Sequence, residues 1–139
     1  MAETKMSRGH DPAALVKLAG AREIRLETTS LDGTRTHLTT IWVVIDDEQV
    51  FVRSVRGPAG RWFREVRRRP GAIVHVAGLH IPVRAELATD APTVERVSDA
   101  IETKYGRRSA STRSMLQPHT LPTTLRLDPA GTGPTSSRS

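Results

Sequence analysis

Residues 51–70 read FVRSVRGPAGRWFREVRRRP. The segment opens as a strand: from Gln49 to Val55, Val50, Val52 and Ser54 share one face and Phe51, Arg53 and Val55 the other. Gly57-Pro58-Ala59-Gly60 breaks that strand. Arg61 to Arg69 then suits a two-turn helix, with Trp62 and Val66 four apart on one side, and Pro70-Gly71 stops it. Seven arginines (53, 56, 61, 64, 67, 68 and 69) face one acid, Glu65, so the segment carries +6, equal to the net charge of the whole chain. The remainder sums to zero.

The unit delivers Arg53 and Ser54 from a strand end, lets backbone approach a ligand closely at Gly57 and Gly60, and presents a helix N-terminus with free N–H groups. Arg56 and Arg61 flank that point. Such an arrangement suits a phosphate, each charge-assisted hydrogen bond contributing roughly 1.5–3 kcal/mol. The plain alternative is a solvated basic helix behind an ordinary loop. Arg64, Arg67, Arg68 and Arg69 are expected to face solvent, Glu65 to pair with Arg69 four residues on, and Trp62 to pack behind the loop.

Working outward, Arg22 to Thr29 alternates as a half-buried strand, with Ile24, Leu26 and Thr28 inward. Leu31-Asp32-Gly33-Thr34 carries the Asp-Gly hairpin signal. Arg35 to Ile45 reads as one long strand ending in IWVVI, followed by a polar turn at Asp46-Asp47-Glu48. Beyond the basic helix, Ala72 to Ala77 and Leu79 to Leu87 form a hairpin, and Pro82 asks for a free edge or a bulge. Asp11-Pro12 opens a short first helix that Gly20 ends, with Leu15, Val16 and Leu18 toward a core. Thr89-Asp90 with Pro92 opens a second long helix, whose stripe is Val94, Val97, Ala100, Ile101 and Tyr105 and whose stop is Gly106. Residues 107–120 read as loop and Leu121 to Leu127 as a last strand. The expected domain spans residues 11–128, between a disordered N-terminus (1–10) and a flexible tail (129–139). The class is mainly β with short helices (α+β): six antiparallel strands in a small barrel, not fully closed.

The bulk properties exclude several classes of function. At 139 residues the chain is one domain's worth and needs no staples. The absence of cysteine removes disulfides, thiol nucleophiles and thiolate metal sites. The longest apolar run, residues 41–45, is too short for a bilayer, and the first twelve residues lack the apolar core of a signal peptide; a cytoplasmic protein with no membrane partner is expected. The pI near 10.9 raises nucleic acid as a partner, but the excess charge sits in one segment and the aromatic content is 4%, against the stacking platforms single-strand binders use. Only three basic residues are Lys; an Arg excess suits phosphate and is equally what a GC-rich genome supplies. The five histidines show no metal-ligand spacing, and no Ser/His/Asp, P-loop or paired-carboxylate pattern is present.

With Ile41-Trp42-Val43-Val44, the run from Val52 to Pro58 through Arg61-Trp62-Phe63, Lys104-Tyr105-Gly106 and Thr124-Leu125-Arg126-Leu127 in this order, the chain resembles a bacterial family of short proteins with no assigned function. That family is similar to the split β-barrel flavoproteins: pyridoxamine-phosphate-oxidase-like enzymes and deazaflavin-dependent nitroreductases. The resemblance covers about residues 22–128. It implies a homodimer holding FMN or coenzyme F-420 between subunits, and a flavin- or deazaflavin-dependent oxidoreductase acting on a small organic molecule. It further implies that the strand of Thr39, Thr40 and Trp42 passes beside the ring, the threonines donating to its pyrimidine edge and Trp42 walling the site; otherwise these are a core Trp and two strand threonines. Tyr105 is a candidate proton donor or simply an aromatic closing its helix. The cofactor-binding set is thus Thr39, Thr40, Trp42, Arg53, Ser54, Arg56, Gly57, Gly60, Arg61 and Trp62. Two other readings stand beside it: the same barrel without a redox cofactor, binding an anionic metabolite or doing non-redox chemistry in the dimer cleft, and a nucleic-acid binder using the Arg-rich helix.

Overall fold

The structure is a computed structural model that describes residues 9–130. The terminal expectations at residues 1–8 and 131–139 lie outside the described residues. Seven strands form one antiparallel sheet: β1 (Ile24–Thr29), β2 (Thr36–Ile41), β3 (Val44–Asp46), β4 (Gln49–Val52), β5 (Gly71–Val76), β6 (Leu79–Leu87) and β7 (Leu125–Pro129). The helices are α1 (Pro12–Gly20), α2 (Arg61–Arg68), α3 (Ala91–Tyr105) and α4 (Ala110–Met115), with 3₁₀ turns at Gly57–Ala59 and Pro118–Thr123.

The sheet order is β2-β1-β5-β6-β7-β4-β3, so the two edge strands are consecutive in the chain. Only Trp42 and Val43 separate Ile41 from Val44, a span of at most roughly 11 Å. A flat sheet of seven strands would hold its edges roughly 29 Å apart. The sheet therefore curls until its edges nearly meet, without β2 and β3 pairing, and forms an incomplete barrel. This corrects the expected count of six: the predicted strand from Arg35 to Ile45 is two strands on opposite edges.

The side-chain alternation survives the break. Ile41 and Val43 enter the barrel interior with Leu26, Val50, Val52, Val74 and Leu127. Trp42 and Val44 join a second cluster outside the barrel with Phe51, Val97, Ile101, Tyr105 and Met115. The outer side of the apolar run 41–45 is thus covered within the chain, by α3.

Tight turns set the registers. In β3–β4, Asp46 faces Gln49 and the two central residues, Asp47 and Glu48, have φ of 53° and 62°, the type I′ conformation that matches strand twist. Ala77 (φ 48°) and Gly78 (φ 80°) repeat it between β5 and β6. Pro82 lies in an interior strand, yet its carbonyl accepts from Ala130 just past the last β6–β7 pair, Val83 with Pro129. Its missing N–H faces the end of β7, so only the terminal bond to the Ala130 carbonyl is forgone. Val16 of α1 points to solvent (73% exposed), whereas Leu18 is buried.

Candidate functional site

The basic segment divides into three parts. Arg64, Arg67 and Arg68 are exposed, as expected. Arg69 instead donates to the carbonyls of Ser30 and Leu31 at 3.1 Å, bracing the β1–β2 loop. Arg53, Arg56 and Arg61 all reach one cleft of about 430 Å³.

That cleft is walled by the end of β2 with Trp42, by the segment Arg53–Arg56 after β4, by Gly60, Arg61 and Trp62 at the start of α2, and by Ser111, Ser114 and Met115 of α4. Nine of the ten sequence-predicted binding residues line it. Gly57 does not: with φ of 71°, its role is to bend the loop beneath His119, whose carbonyl lies 2.8 Å from where a Cβ would sit. Gly60 is needed for close approach, since a Cβ there would meet the Ser54 hydroxyl at 2.3 Å. Ser54 donates to the Gly57 carbonyl at 2.9 Å, which closes the loop just before α2, whose first-turn amides are free of helical acceptors. Trp62 is 7% exposed and meets Phe63 edge-on at 6.3 Å between centroids.

Arg53 sits at the cleft's inner side, 2% exposed. Strand alternation turns it, with Phe51, toward α3. Its guanidinium donates to Thr124 Oγ1 (2.8 Å), Ser98 Oγ (3.0 Å) and the carbonyls of Val94 (2.9 Å) and Met115 (3.4 Å). All four acceptors are neutral, and no carboxylate pairs with it among the described residues. Burial pulls its pKa down to about 10, so it stays a cation at neutral pH.

Arg61 is different. It donates to both oxygens of Glu65 (3.1 and 3.2 Å) and to Thr39 Oγ1 (3.1 Å). Glu65 is 1% exposed and also accepts from Thr28 and from His37 Nδ1 (2.8 Å). Burial alone would push this carboxyl up; the bonds from Thr28, His37 and Arg61 outweigh it and hold the pKa below the ordinary carboxylate range. The expected Glu65–Arg69 pair is therefore replaced by Glu65–Arg61, one turn the other way. Sequence reading pairs Glu65 only with Arg69 and gives His37 no role; an acid placed four after Arg61, on the same side as Trp62 and Val66, was the available signal.

Tyr105 lies behind the cleft and does not line it. Its ring stacks on Trp42 at 3.7 Å and 8° between planes. Its hydroxyl donates to the Arg22 carbonyl (2.6 Å), lies 3.1 Å from the Val43 carbonyl and accepts from the Val43 N–H (3.2 Å). Burial raises its pKa. Lys104 adds donations to the carbonyls of Val43 (2.8 Å) and Leu18 (3.2 Å). These bonds satisfy the backbone at the crossover between the two sheet edges and so fix Trp42 as a cleft wall.

Among the cleft-lining residues there is no histidine and one carboxylate, Glu23. The cleft offers cations, hydroxyls, amides and aromatic walls, and little acid–base chemistry of its own. Among the described residues no helix is long and apolar enough to cross a membrane.

Comparison with known proteins places the fold. The chain aligns with the heme storage protein HutZ of Vibrio cholerae at TM-score 0.67 and 14% identity, covering 88% of this chain and 92% of that one. It aligns with a Listeria innocua protein assigned as a pyridoxamine 5′-phosphate oxidase at 0.59 and 19%, covering 86% and 92%. An F420-H2-dependent reductase, FDR-A, aligns at 0.60 and 12%, covering 76% and 93%. No curated protein matches the sequence. The curled half-barrel is the split-barrel fold these structures share, and the chain, matched over residues 14–127, belongs to the bacterial family described as "Uncharacterized protein conserved in bacteria (DUF2255)".

Proposed function

We propose that the cleft binds the phosphate-bearing tail of FMN or coenzyme F-420 and that the protein is a flavin- or deazaflavin-dependent oxidoreductase of a small organic molecule. The observation that carries this reading is Arg53: a buried cation with four neutral partners on the wall of a cleft whose mouth holds Arg56. A buried charge is costly unless paired, and an anionic ligand supplies the missing partner. Gly60 allows the close backbone approach, Thr39 and Thr40 offer hydroxyls, and Trp42 and Trp62 offer flat apolar surface, so the residues present fit the group. A bound flavin or deazaflavin supplies hydride transfer. The chain's part is to bind through Arg53, Arg56 and the α2 amides, to orient through the hydroxyls, and to exclude water along the Trp42 side. The F420-dependent and pyridoxamine-phosphate-oxidase-like neighbours support the choice of cofactor class.

The cleft is open on one side, where Arg56 and Val55 are exposed. β2 is an edge strand with Leu38 49% exposed. A two-fold homodimer in the cytoplasm, with β2 near the interface, closes the cleft in this reading, and light scattering at low micromolar concentration reads it as twice the chain mass. The second reading, a cofactor-free cleft for an anionic metabolite, rests on the same Arg53 and on the scarcity of acid–base groups in the wall. Absorbance of the purified protein and titration with FMN and coenzyme F-420 separate the two. A flavin-type spectrum, or micromolar binding with quenching of Trp42 and Trp62, supports the first. A colourless protein that binds neither cofactor overturns it.

A further inference from the structure

Near the arginine cleft, with which their surroundings share Glu23 and Thr40, His75 and His80 face each other across the β5–β6 hairpin. The type I′ turn at Ala77-Gly78 makes Val76 and Leu79 the hydrogen-bonded pair beside the turn, so His75 and His80 form the next, non-hydrogen-bonded pair. Cα atoms approach most closely, about 4.5 Å, at such pairs. The imidazole centroids are 4.4 Å apart, with planes at 53°. Two imidazoles sharing one ion at about 2.1 Å per nitrogen place their ring centres roughly 4.5–5.3 Å apart. The pair is thus within a small ring adjustment of chelating geometry. His80 has no side-chain hydrogen bond among the described residues and is exposed, so its ring is free to make that adjustment.

Glu27, on β1, completes the arrangement from behind. Its carboxylate lies 2.8 Å from His75 Nε2. An ionised carboxylate only accepts, so the ring donates Nε2–H and keeps Nδ1 as its lone-pair nitrogen. This is the outer carboxylate that orients histidine ligands of metals and makes them better donors. Arg25, beside His75 across the β1–β5 ladder, is the opposing charge; Glu23 and Glu27 flank it in sequence, leaving a local sum of −1. No group of three His, Cys, Asp or Glu is gathered around an ion position among the described residues, so water fills the remaining coordination.

We infer that His75 and His80, oriented by Glu27, form a two-histidine site for a divalent late transition ion (Zn²⁺, Ni²⁺ or Cu²⁺) on the outer face of the β5–β6 hairpin, beside the arginine cleft and built from residues that do not line it. Imidazole suits these ions, with Cu²⁺ bound most tightly.

The test is calorimetric titration of the full-length, tag-free chain with Zn²⁺, Ni²⁺ and Cu²⁺ in a non-chelating buffer. The expected result is one ion per chain, tightest for Cu²⁺, with no change in mass by light scattering. His80→Ala removes that binding event and Glu27→Gln weakens it at least tenfold, while His119→Ala, far from the hairpin, leaves it unchanged. His80→Ala and Glu27→Gln both alter side chains that are at least partly exposed, and an unchanged melting temperature without metal confirms their folding. Binding that survives His80→Ala, that is absent from the parent protein, or that appears as one ion per two chains overturns the site.

Discussion

Two buried charges from the same basic segment are handled in opposite ways. Glu65 is surrounded by donors, with Thr28 and His37 from β1 and β2 and Arg61 one turn back on its own helix. Arg53 meets only neutral acceptors. The Glu65 cluster is complete in itself: it pins α2 to the edge of the sheet and neutralises Arg61. The Arg53 end is electrically open, and it faces a cleft. A balanced buried charge belongs to the architecture; an unbalanced one beside a cavity is where a ligand's charge is wanted. In the proposed reading the cleft therefore depends, of the seven arginines, on Arg53 and Arg56 more than on the total of +6.

The comparison breaks hardest at Glu65. Glu65→Ala strips Arg61, His37 and Thr28 of their common acceptor. The expected loss is about 2–3 kcal/mol, below the usual cost of a fully buried pair because Arg61 and His37 are partly exposed. Urea unfolding measures it. The pH dependence has a definite sign. The folded-state pKa is lowered, so this stabilisation is present above the ordinary Glu pKa of about 4.3 and is lost as pH falls through the depressed folded value. The gap between parent and Glu65→Gln should accordingly narrow below about pH 4; a gap that widens on acidification contradicts the assignment.

Next in size is the crossover behind the cleft. Tyr105→Phe keeps the stack on Trp42 but leaves the Arg22 carbonyl and the Val43 N–H without their hydroxyl partner, the Val43 carbonyl keeping Lys104. The expected cost is about 1–2 kcal/mol, read by thermal or urea unfolding, with cofactor affinity nearly unchanged. A collapse of turnover with affinity and stability intact would instead make the Tyr105 hydroxyl a proton donor.

A smaller pair of changes sharpens the division within the arginines. Arg56→Ala should weaken binding of the anionic cofactor at least tenfold, about 1.4 kcal/mol, with stability unchanged. Arg68→Ala, on the exposed side of α2, should stay within about 0.5 kcal/mol in stability and leave affinity unaltered. Equal losses at both positions would mean that the basic run acts as a diffuse patch, the behaviour expected of a nucleic-acid surface. Duplex DNA titrated at low and physiological salt checks that directly: weak binding that collapses with salt is the expected outcome.

Much of this was legible in the sequence where local signals act alone. α3 begins at Asp90, whose carboxylate accepts from the Thr93 N–H, and stops at Gly106 with φ 96°, because cap and stop chemistry is local. The strand, glycine loop and helix of residues 49–68 follow from alternation and breakers, and that unit supplies six of the nine predicted cleft residues, while Thr39, Thr40 and Trp42 came from the resemblance. The break at Trp42-Val43 was hidden, since a continuous β-branched run has no breaker and only the closing of the sheet divides it. α4 was hidden for another reason. Its Ser109 cap is present, but residues 110–115 (ASTRSM) have weak helix propensity and are held by packing of Thr112 and Met115. The choice of Arg61 over Arg69 by Glu65 was not decidable from spacing, because both lie four residues away; the carbonyls of Ser30 and Leu31 draw Arg69 off.

The most direct test of the open charge is Arg53→Met, followed by titration with FMN and coenzyme F-420 at constant ionic strength and by urea unfolding of the same preparation. Methionine fills the space without the cation, and replacing a buried charge by an apolar side chain is often neutral. The account predicts stability within about 1 kcal/mol of the parent and cofactor affinity reduced more than tenfold. A variant that unfolds readily yet, where folded, binds the cofactor as tightly as the parent would make Arg53 a structural charge and contradict the anion site.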